Sequence, residues 1–412
     1  MLPAGSPLSA WLTWLERLHP TEIELGLERV RDVLGRLDLR RPEHVFLIAG
    51  TNGKGSSVAM TDALLRAAGL HTGVYTSPHI LDYNERIAVN GTYASDGEIV
   101  AAFEMVEAAR QGISLTYFEY GTLAALVVFS AADLDAWVLE VGMGGRLDAT
   151  NAIEPTAALI TNVALDHCDW LGKDVDTIAI EKAGVMRRNI PVVYGSPDVP
   201  RTVVSEAEKV GATLLLRGRD FTLEGVPQPG LAGAFQIGNA AAVLAMLGAA
   251  GIAAATAPDL VARVLPQVTL TGRGQRIELD GTEWLLDVAH NPAAAEALAE
   301  LLAQGPHEGA TTGIIGMLDD KDVEGVVMPL CEQVDRWIAV TPESHRALPA
   351  AELARRLANA CNRPCLVVDT VQQALDCARR DAGNNDRILV TGSFYLVGPV
   401  LNQLRLYSRP QK

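Results

Sequence analysis

From residue 45 onward, short apolar runs alternate with longer stretches whose apolar positions recur every three to four residues. The runs at 45–49, 73–76, 136–141, 157–161, 191–194 and 213–216 have the length of strands and almost no polar interruption. That is the pattern of parallel strands buried on both faces. Helical periodicity fills 54–68, 96–110, 120–132 and 174–186 between them. Residues 8–37 read as two helices with a polar joint around His19, Pro20 and Thr21. A second alternating series comes later in the chain, with strands at 284–288, 311–316, 336–340, 365–368 and 387–391 and helices at 292–303, 321–333, 349–360 and 370–381. Strand–helix alternation predicts two α/β domains, each a mostly parallel sheet covered by helices, with a ligand cleft between them. The second is the smaller, doubly wound and Rossmann-like in its order of elements. The Gly- and Arg-rich stretch 271–281 reads as the junction, giving domains at 1–275 and 282–412. Residues 217–230, rich in Gly, Pro and charge, read as an exposed hairpin or loop.

Composition changes this picture in three places. Residues 231–258 carry no charged side chain and are long enough to span a bilayer. They are built of Ala and Gly, however, with Gln236, Asn239 and a Gly-Ala-Ala-Gly break at 248–251, so helix, turn and second helix inside a globular domain is expected. Asp plus Glu outnumber Lys plus Arg by 50 to 34, a net charge of −16. Such a chain has no global attraction to nucleic acid or to an anionic membrane, so a polyanionic ligand needs local glycines, lysines and metal ions. Five scattered cysteines, Cys168, Cys331, Cys361, Cys365 and Cys377, form no zinc pattern and read as reduced thiols. The first residues have neither the basic nor the apolar region of a signal peptide, so a cytoplasmic location is expected.

Gly50, Thr51, Asn52, Gly53, Lys54, Gly55 and Ser56 come directly after the first strand and open a helix. Glycines let backbone N–H groups approach phosphate oxygens, while the helix N-terminus and Lys54 supply positive charge. The loop departs from the Walker A pattern, since Gly55 stands directly after the lysine and Ile48 replaces the first glycine. The expected fold is therefore a P-loop ATPase domain plus the smaller Rossmann-like domain. Ser77, in Thr76-Ser77-Pro78-His79, sits at a strand C-terminus where open sheets bind ligands. Glu140 ends the apolar run 136–141 like a Walker B carboxylate and precedes a flexible Gly142–Gly145 loop. That loop fails as a dinucleotide fingerprint, because Leu147 occupies the place of the last glycine. His167 also comes after a strand. Glu181-Lys182-Ala183-Gly184 reads, taken alone, as a solvated helix end. In the second domain, polar clusters at Asp287 to Asn291, at Asp319 to Asp322 and at Ser393 all lie just past strands.

The combination resembles the Mur ligase superfamily, and within it the bifunctional folate branch of dihydrofolate and folylpolyglutamate synthases. Glycine after the loop lysine is similar to that branch, and the motifs around residues 21, 76, 140, 166, 181, 287 and 392 agree along nearly the whole chain. The resemblance implies an ATP- and Mg²⁺-dependent ligase that joins L-glutamate to dihydropteroate and to reduced folates through an acyl phosphate. It implies phosphate contacts from residues 50–56 and nucleotide contacts from Asn239, Arg273 and Asp287. Ser77, Glu140 and His167 are the implied Mg²⁺ ligands. Lys182 corresponds to a lysine that is carbamylated in the superfamily, and Lys54, Lys182 and His290 are the implied catalytic groups. The pteridine site is implied at Thr21, Glu22, Ile23 and Glu24, at Thr116, Tyr117, Phe118 and Glu119, and at Leu147, Asp148 and Ala149. His290 and Ser393 are the implied contacts of incoming glutamate. The expected partners are these small molecules alone, with a monomeric chain and neither nucleic acid nor membrane. Two alternatives stand beside this reading. A cell-wall amino-acid ligase of the same superfamily is disfavoured by Gly55 and by residues 21–27; a P-loop switch or kinase leaves the second domain's polar strand ends unexplained.

Overall fold

The structure, a computed structural model, describes residue 3, residues 5–304 and residues 307–407. Those residues form two compact units: residues up to 229 with 237–268, and residues 230–236 with 269 onward. The first unit holds eight strands: β1 (His44–Ala49), β2 (Thr72–Tyr75), β3 (Ile87–Val89), β4 (Thr92–Tyr93), β5 (Ala136–Glu140), β6 (Ala157–Ile160), β7 (Pro191–Tyr194) and β8 (Thr213–Leu216). Their order is β4-β3-β2-β5-β1-β6-β7-β8. The six strands from β2 to β8 in that order run parallel. Val45, Phe46, Leu47 and Ile48 of β1 are buried, as a central strand requires. In the register of the sheet, Ile48 pairs with Glu140 across β1 and β5, and Ala49 pairs with Ile160 across β1 and β6. The segments leaving β2, β5, β1 and β6 therefore emerge side by side at one edge of the sheet.

The second unit holds β9 (Gln275–Leu279), β10 (Thr282–Leu286), β11 (Thr311–Ile315), β12 (Arg336–Val340), β13 (Cys365–Val368) and β14 (Arg387–Thr391), in the order β13-β12-β11-β14-β10-β9. All pairings are parallel except that of β9 with β10.

Two antiparallel hairpins are absent from the periodicity reading. In one, Asn90 and Gly91 form a two-residue turn with φ 51° and 77° between β3 and β4. In the other, Asp280 and Gly281 turn with φ 52° and 77° between β9 and β10, so the stretch 271–281 expected as a linker contains an edge strand. Asn-Gly and Asp-Gly are the residues that tolerate positive φ at both turn positions, which is why each closes a hairpin.

The uncharged segment folds as helix Phe235–Ala249 and a short 3₁₀ turn Ala253–Thr256; the second helix, Pro258–Val264, starts at its last residue and carries Asp259 and Arg263. No helix among the described residues is long and apolar enough to cross a membrane. The joint between the first two helices, Leu8–Leu15 and Glu28–Leu34, spans residues 16–27 without regular structure. Cys331 and Cys361, read from the sequence as reduced thiols, are bonded to each other with Cα atoms 5.7 Å apart; Cys168, Cys365 and Cys377 are free.

Candidate active site

Glycine is required twice where β1 passes into helix Lys54–Ala67. Gly50 has φ 144°, and a Cβ there would lie 1.8 Å from Thr161 Oγ1. Gly53 has φ 84°, and a Cβ there would lie 2.9 Å from the Asn239 amide. The loop is braced from β6's exit: Asn162 Oδ1 accepts the Thr51 and Asn52 N–H groups at 3.2 and 2.9 Å, and the Thr161 hydroxyl donates to the Asn52 carbonyl at 2.6 Å. Asn162 and Thr161 thus shape the loop; sequence reading gave them no part in it, because the contact spans 110 positions. Lys54 Nζ donates to the Gly50 and Thr51 carbonyls at 3.0 and 3.1 Å, which folds the ammonium over the loop. Asn239, on helix Phe235–Ala249, is brought against Gly53.

Ser77 leaves β2 and Glu140 ends β5, the neighbouring strand. The Ser77 N–H donates to Glu140 Oε2 at 3.3 Å, and the Glu140 side chain is buried. His167 lies beyond β6 in a left-handed conformation, its N–H donating to Asp166 Oδ1 at 2.8 Å. No group of three or more His, Cys, Asp or Glu side chains among the described residues forms a metal cluster. A divalent ion at these positions would rest on one hydroxyl, one carboxylate and one imidazole. That oxygen-rich and incomplete donor set suits Mg²⁺, which keeps positions open for phosphate oxygens and water.

Lys182 belongs to helix Val175–Ala183 and is buried. Burial and the nearby Lys54 charge push its amine down to about 7, against the opposing pull of Asp166 and Asp148. The neighbouring motif residues are structural. Glu181 accepts from Arg146 Nη2 at 2.7 Å, and a Cβ on Gly184 would lie 2.3 Å from that of Arg146. They clamp the 142–148 loop onto this helix, so the segment read as a solvated helix end is instead a packing joint.

The three segments implied for a pteridine converge on helix Tyr117–Ala131. Thr116 and Glu119 form a capping box: Thr116 Oγ1 accepts the Glu119 N–H at 3.2 Å, and Glu119 Oε2 accepts the Thr116 N–H at 2.7 Å. A Cβ on Gly142 would lie 2.6 Å from the Phe118 ring and 3.1 Å from Asp148, so the 142–148 loop closes directly on Phe118. Asp148 is buried, which raises its carboxyl above the usual aspartate range, while the Thr150 hydroxyl and the Met143 N–H donate to it. Glu24 is tied to Glu119 through Arg29. The side chains of Thr116 and Glu119 are thus occupied in shaping the helix start. His79, beside Ser77, is held neutral: burial and then the Arg86 charge lower it to about 3, and Arg86 Nε donates to its Nδ1 at 2.8 Å.

In the second unit, Asp287 lies just past β10. Its carboxylate accepts the Gly274 and Ala289 N–H groups, both at 2.7 Å, and burial raises its carboxyl despite the Arg273 charge. Arg273 lies over the Phe394 ring at 4.7 Å, and His290 meets the same ring at 6.1 Å. Ser393 Oγ accepts the Tyr395 N–H and caps helix Phe394–Gln403. Asn291 and Asp322 likewise cap helices, which accounts for two of the polar strand-end residues without a ligand.

Two family profiles match the chain, "Mur ligase middle domain" over residues 48–192 and "Mur ligase, glutamate ligase domain" over residues 272–394. A protein of Escherichia coli (strain K12) named dihydrofolate synthase/folylpolyglutamate synthase is 41% identical over 415 residues, covering 97% of this chain and 96% of its own length. The solved E. coli FolC in complex with DHPP and ADP is similar with a TM-score of 0.90 and 41% identity, over 98% of this chain and 99% of that one. A bifunctional folylpolyglutamate synthase/dihydrofolate synthase with Mn, AMPPNP and L-glutamate bound has a TM-score of 0.91 at 41% identity, over 98% of this chain and all of its own.

Proposed function

Because the chain belongs to the dihydrofolate synthase/folylpolyglutamate synthase family of Mur ligases, we infer that it is an ATP-dependent ligase adding L-glutamate to dihydropteroate and to reduced folates. The observation that carries this reading onto the chain's own residues is Lys182. This buried amine is lowered by burial and by the Lys54 charge of the phosphate loop and raised by Asp166 and Asp148, which supports reading the phosphate loop and the 147–149 segment as parts of one site.

A carboxylate is a poor acylating agent and must first take the γ-phosphoryl group of ATP; the glutamate amine then displaces phosphate from the acyl carbon. The residues divide this work. The 50–56 loop orients the phosphates, with its shape fixed by Asn162, and Lys54 offsets charge that develops on the transferring group. Ser77, Glu140 and His167 would hold a divalent ion, which would supply further neutralisation there. Lys182, with its lowered amine, is the group able to add CO₂ (R–NH₂ + CO₂ → R–NH–COO⁻ + H⁺), which turns a buried amine into a carboxylate. Asn239, Arg273 and Asp287 serve the nucleotide, and His290 and Ser393 the incoming glutamate. The segments 21–24, 116–119 and 147–149 enclose the pteridine, with Asp148 holding the 143–150 loop in shape beside Phe118. The chain acts as a monomer in the cytoplasm.

The test is the dependence of ADP release on both acceptors. ADP release that requires dihydropteroate or tetrahydrofolate together with L-glutamate supports the ligase; equal release without either substrate marks a P-loop hydrolase and contradicts it. Sedimentation velocity showing a single-chain species supports the monomer, and a concentration-independent dimer refutes it.

A further inference from the structure

One polar cluster that touches no residue assigned to ATP, metal or glutamate joins two parts of the pteridine site. Arg29 stands in the first turn of helix Glu28–Leu34 and uses its whole fork. Nη2 donates to Glu119 Oε1 at 2.9 Å and Nε to Oε2 at 3.4 Å. Nη1 donates to Glu24 Oε1, and Nη2 also reaches the Glu24 carbonyl at 2.9 Å. Glu119 is a buried carboxylate, its side chain 5% exposed, so the pair is shielded from the solvent that weakens surface ion pairs. His19 extends the cluster: Nδ1 lies 2.8 Å from Ser114 Oγ and Nε2 lies 2.8 Å from Glu24 Oε2. Ser114 in turn donates to the Leu18 carbonyl at 3.3 Å.

Residues 16–27 have neither helix nor ladder to hold them. Their conformation beside helix Tyr117–Ala131 is set by these side chains. An irregular segment that a ligand must order costs affinity, and a segment fastened beforehand does not. Arginine's rigid fork suits this fastening because it fixes two carboxylates in direction as well as distance.

We propose that Arg29, assisted by His19, is a positioning residue that pre-forms the pteridine site by fastening residues 19–24 to the start of helix Tyr117–Ala131. The proposal rests on the reading of 21–24 and 116–119 as pteridine segments. Its signature is selective: loss of the fastening weakens capture of dihydropteroate and leaves phosphate-loop chemistry alone.

The test is steady-state kinetics on Arg29→Gln, Arg29→Lys and His19→Gln, varying dihydropteroate and ATP separately. Arg29→Gln should raise the KM for dihydropteroate about tenfold. Both kcat and the KM for ATP should stay within about twofold of the parent, a change too small to report a lost contact. Arg29→Lys, which keeps the charge and loses the fork, should fall between. His19→Gln leaves the Arg29–Glu119 pair in place and should raise the same KM about threefold; it and Arg29→Lys decide the matter if Arg29→Gln fails to fold. An unchanged dihydropteroate KM, or a parallel rise in the ATP KM, overturns the proposal. Asp148→Asn separates the two levels of inference. If it raises the dihydropteroate KM while the Arg29 and His19 variants do not, only the fastening is wrong. If none of the variants moves that KM, the pteridine reading itself fails and takes the proposal with it.

Discussion

At the scale of single residues, the proposed chemistry turns on two lysines, half-buried Lys54 and buried Lys182. Lys54→Ala removes the charge folded over the loop, and kcat should fall about 10²- to 10³-fold with the fold intact; circular dichroism with turnover assays checks both halves of that statement. Lys182 makes a pH-dependent prediction. Its amine falls from the ordinary lysine value of 10.5 to about 7, so it is mostly protonated below neutral pH and mostly free base above it. Only the free base adds CO₂. Carbon-13 spectra taken under labelled CO₂ should therefore show a carbamate signal that grows as pH rises through 7 and is missing in Lys182→Met; a pH-independent signal, or none, contradicts the assignment. Stability has a definite sign as well. Between 7 and 10.5 the unfolded chain holds a proton that the folded amine does not, so folding is favoured as pH rises through that window and penalised below it. Lys182→Met should accordingly be more heat-stable than the parent at neutral pH while inactive, the trade expected of a site that keeps a buried amine for function. The roles of Ser77 and Lys182 are hard to read from residue type alone, since a Ser-Pro turn and a helix-end lysine are common; they acquire meaning only from the strand order that brings them to Glu140 and Lys54.

At the scale of elements, periodicity exposes the parallel strands and their helices because each is buried and apolar throughout. It overlooks the antiparallel strands, the β3–β4 hairpin at one margin of its sheet and β9 at the edge of the other, although Asn90-Gly91 and Asp280-Gly281 are written in the chain. Turn chemistry was the available signal there. It also passes over the Thr116–Glu119 capping box, which explains those two residues before any ligand is considered. Thr116→Ala should cost about 1 kcal/mol of stability, and it should raise the dihydropteroate KM because the cap places Phe118. Thermal denaturation and kinetics on one sample check the pair of effects. Gly50 is more demanding: alanine there meets Thr161 and a positive φ together, so Gly50→Ala should lose about 1–3 kcal/mol and ATP binding with it. A Gly50→Ala protein of parental stability would mean the loop is freer than its geometry shows.

At the scale of the whole molecule, an acidic chain of net charge −16 handles ATP, a folate and glutamate, all anions. The strand order β2-β5-β1-β6 and the order β11-β14-β10 set neighbouring exits side by side at the C-terminal edges of its sheets, where Lys54 and the N–H groups of the 50–56 loop lie close to carboxylates such as Glu140. Two mostly parallel sheets and each of their parallel strands were legible along the chain. The inclusion of residues 230–236 in the second unit was not, because a linear reading has no means to detect a discontinuous domain. Nor were Asn162, Thr161 and Arg29 legible, since each acts across roughly a hundred positions through contacts that only the folded sheet creates. The central claim is that a folate carboxylate, and not water, takes the γ-phosphoryl group. Mass spectrometry of a reaction with heavy-oxygen-labelled dihydropteroate carboxylate, ATP, Mg²⁺ and L-glutamate tests it most directly. An acyl-phosphate route predicts dihydrofolate together with released phosphate that carries one heavy oxygen from the substrate. Unlabelled phosphate with no dihydrofolate would contradict it.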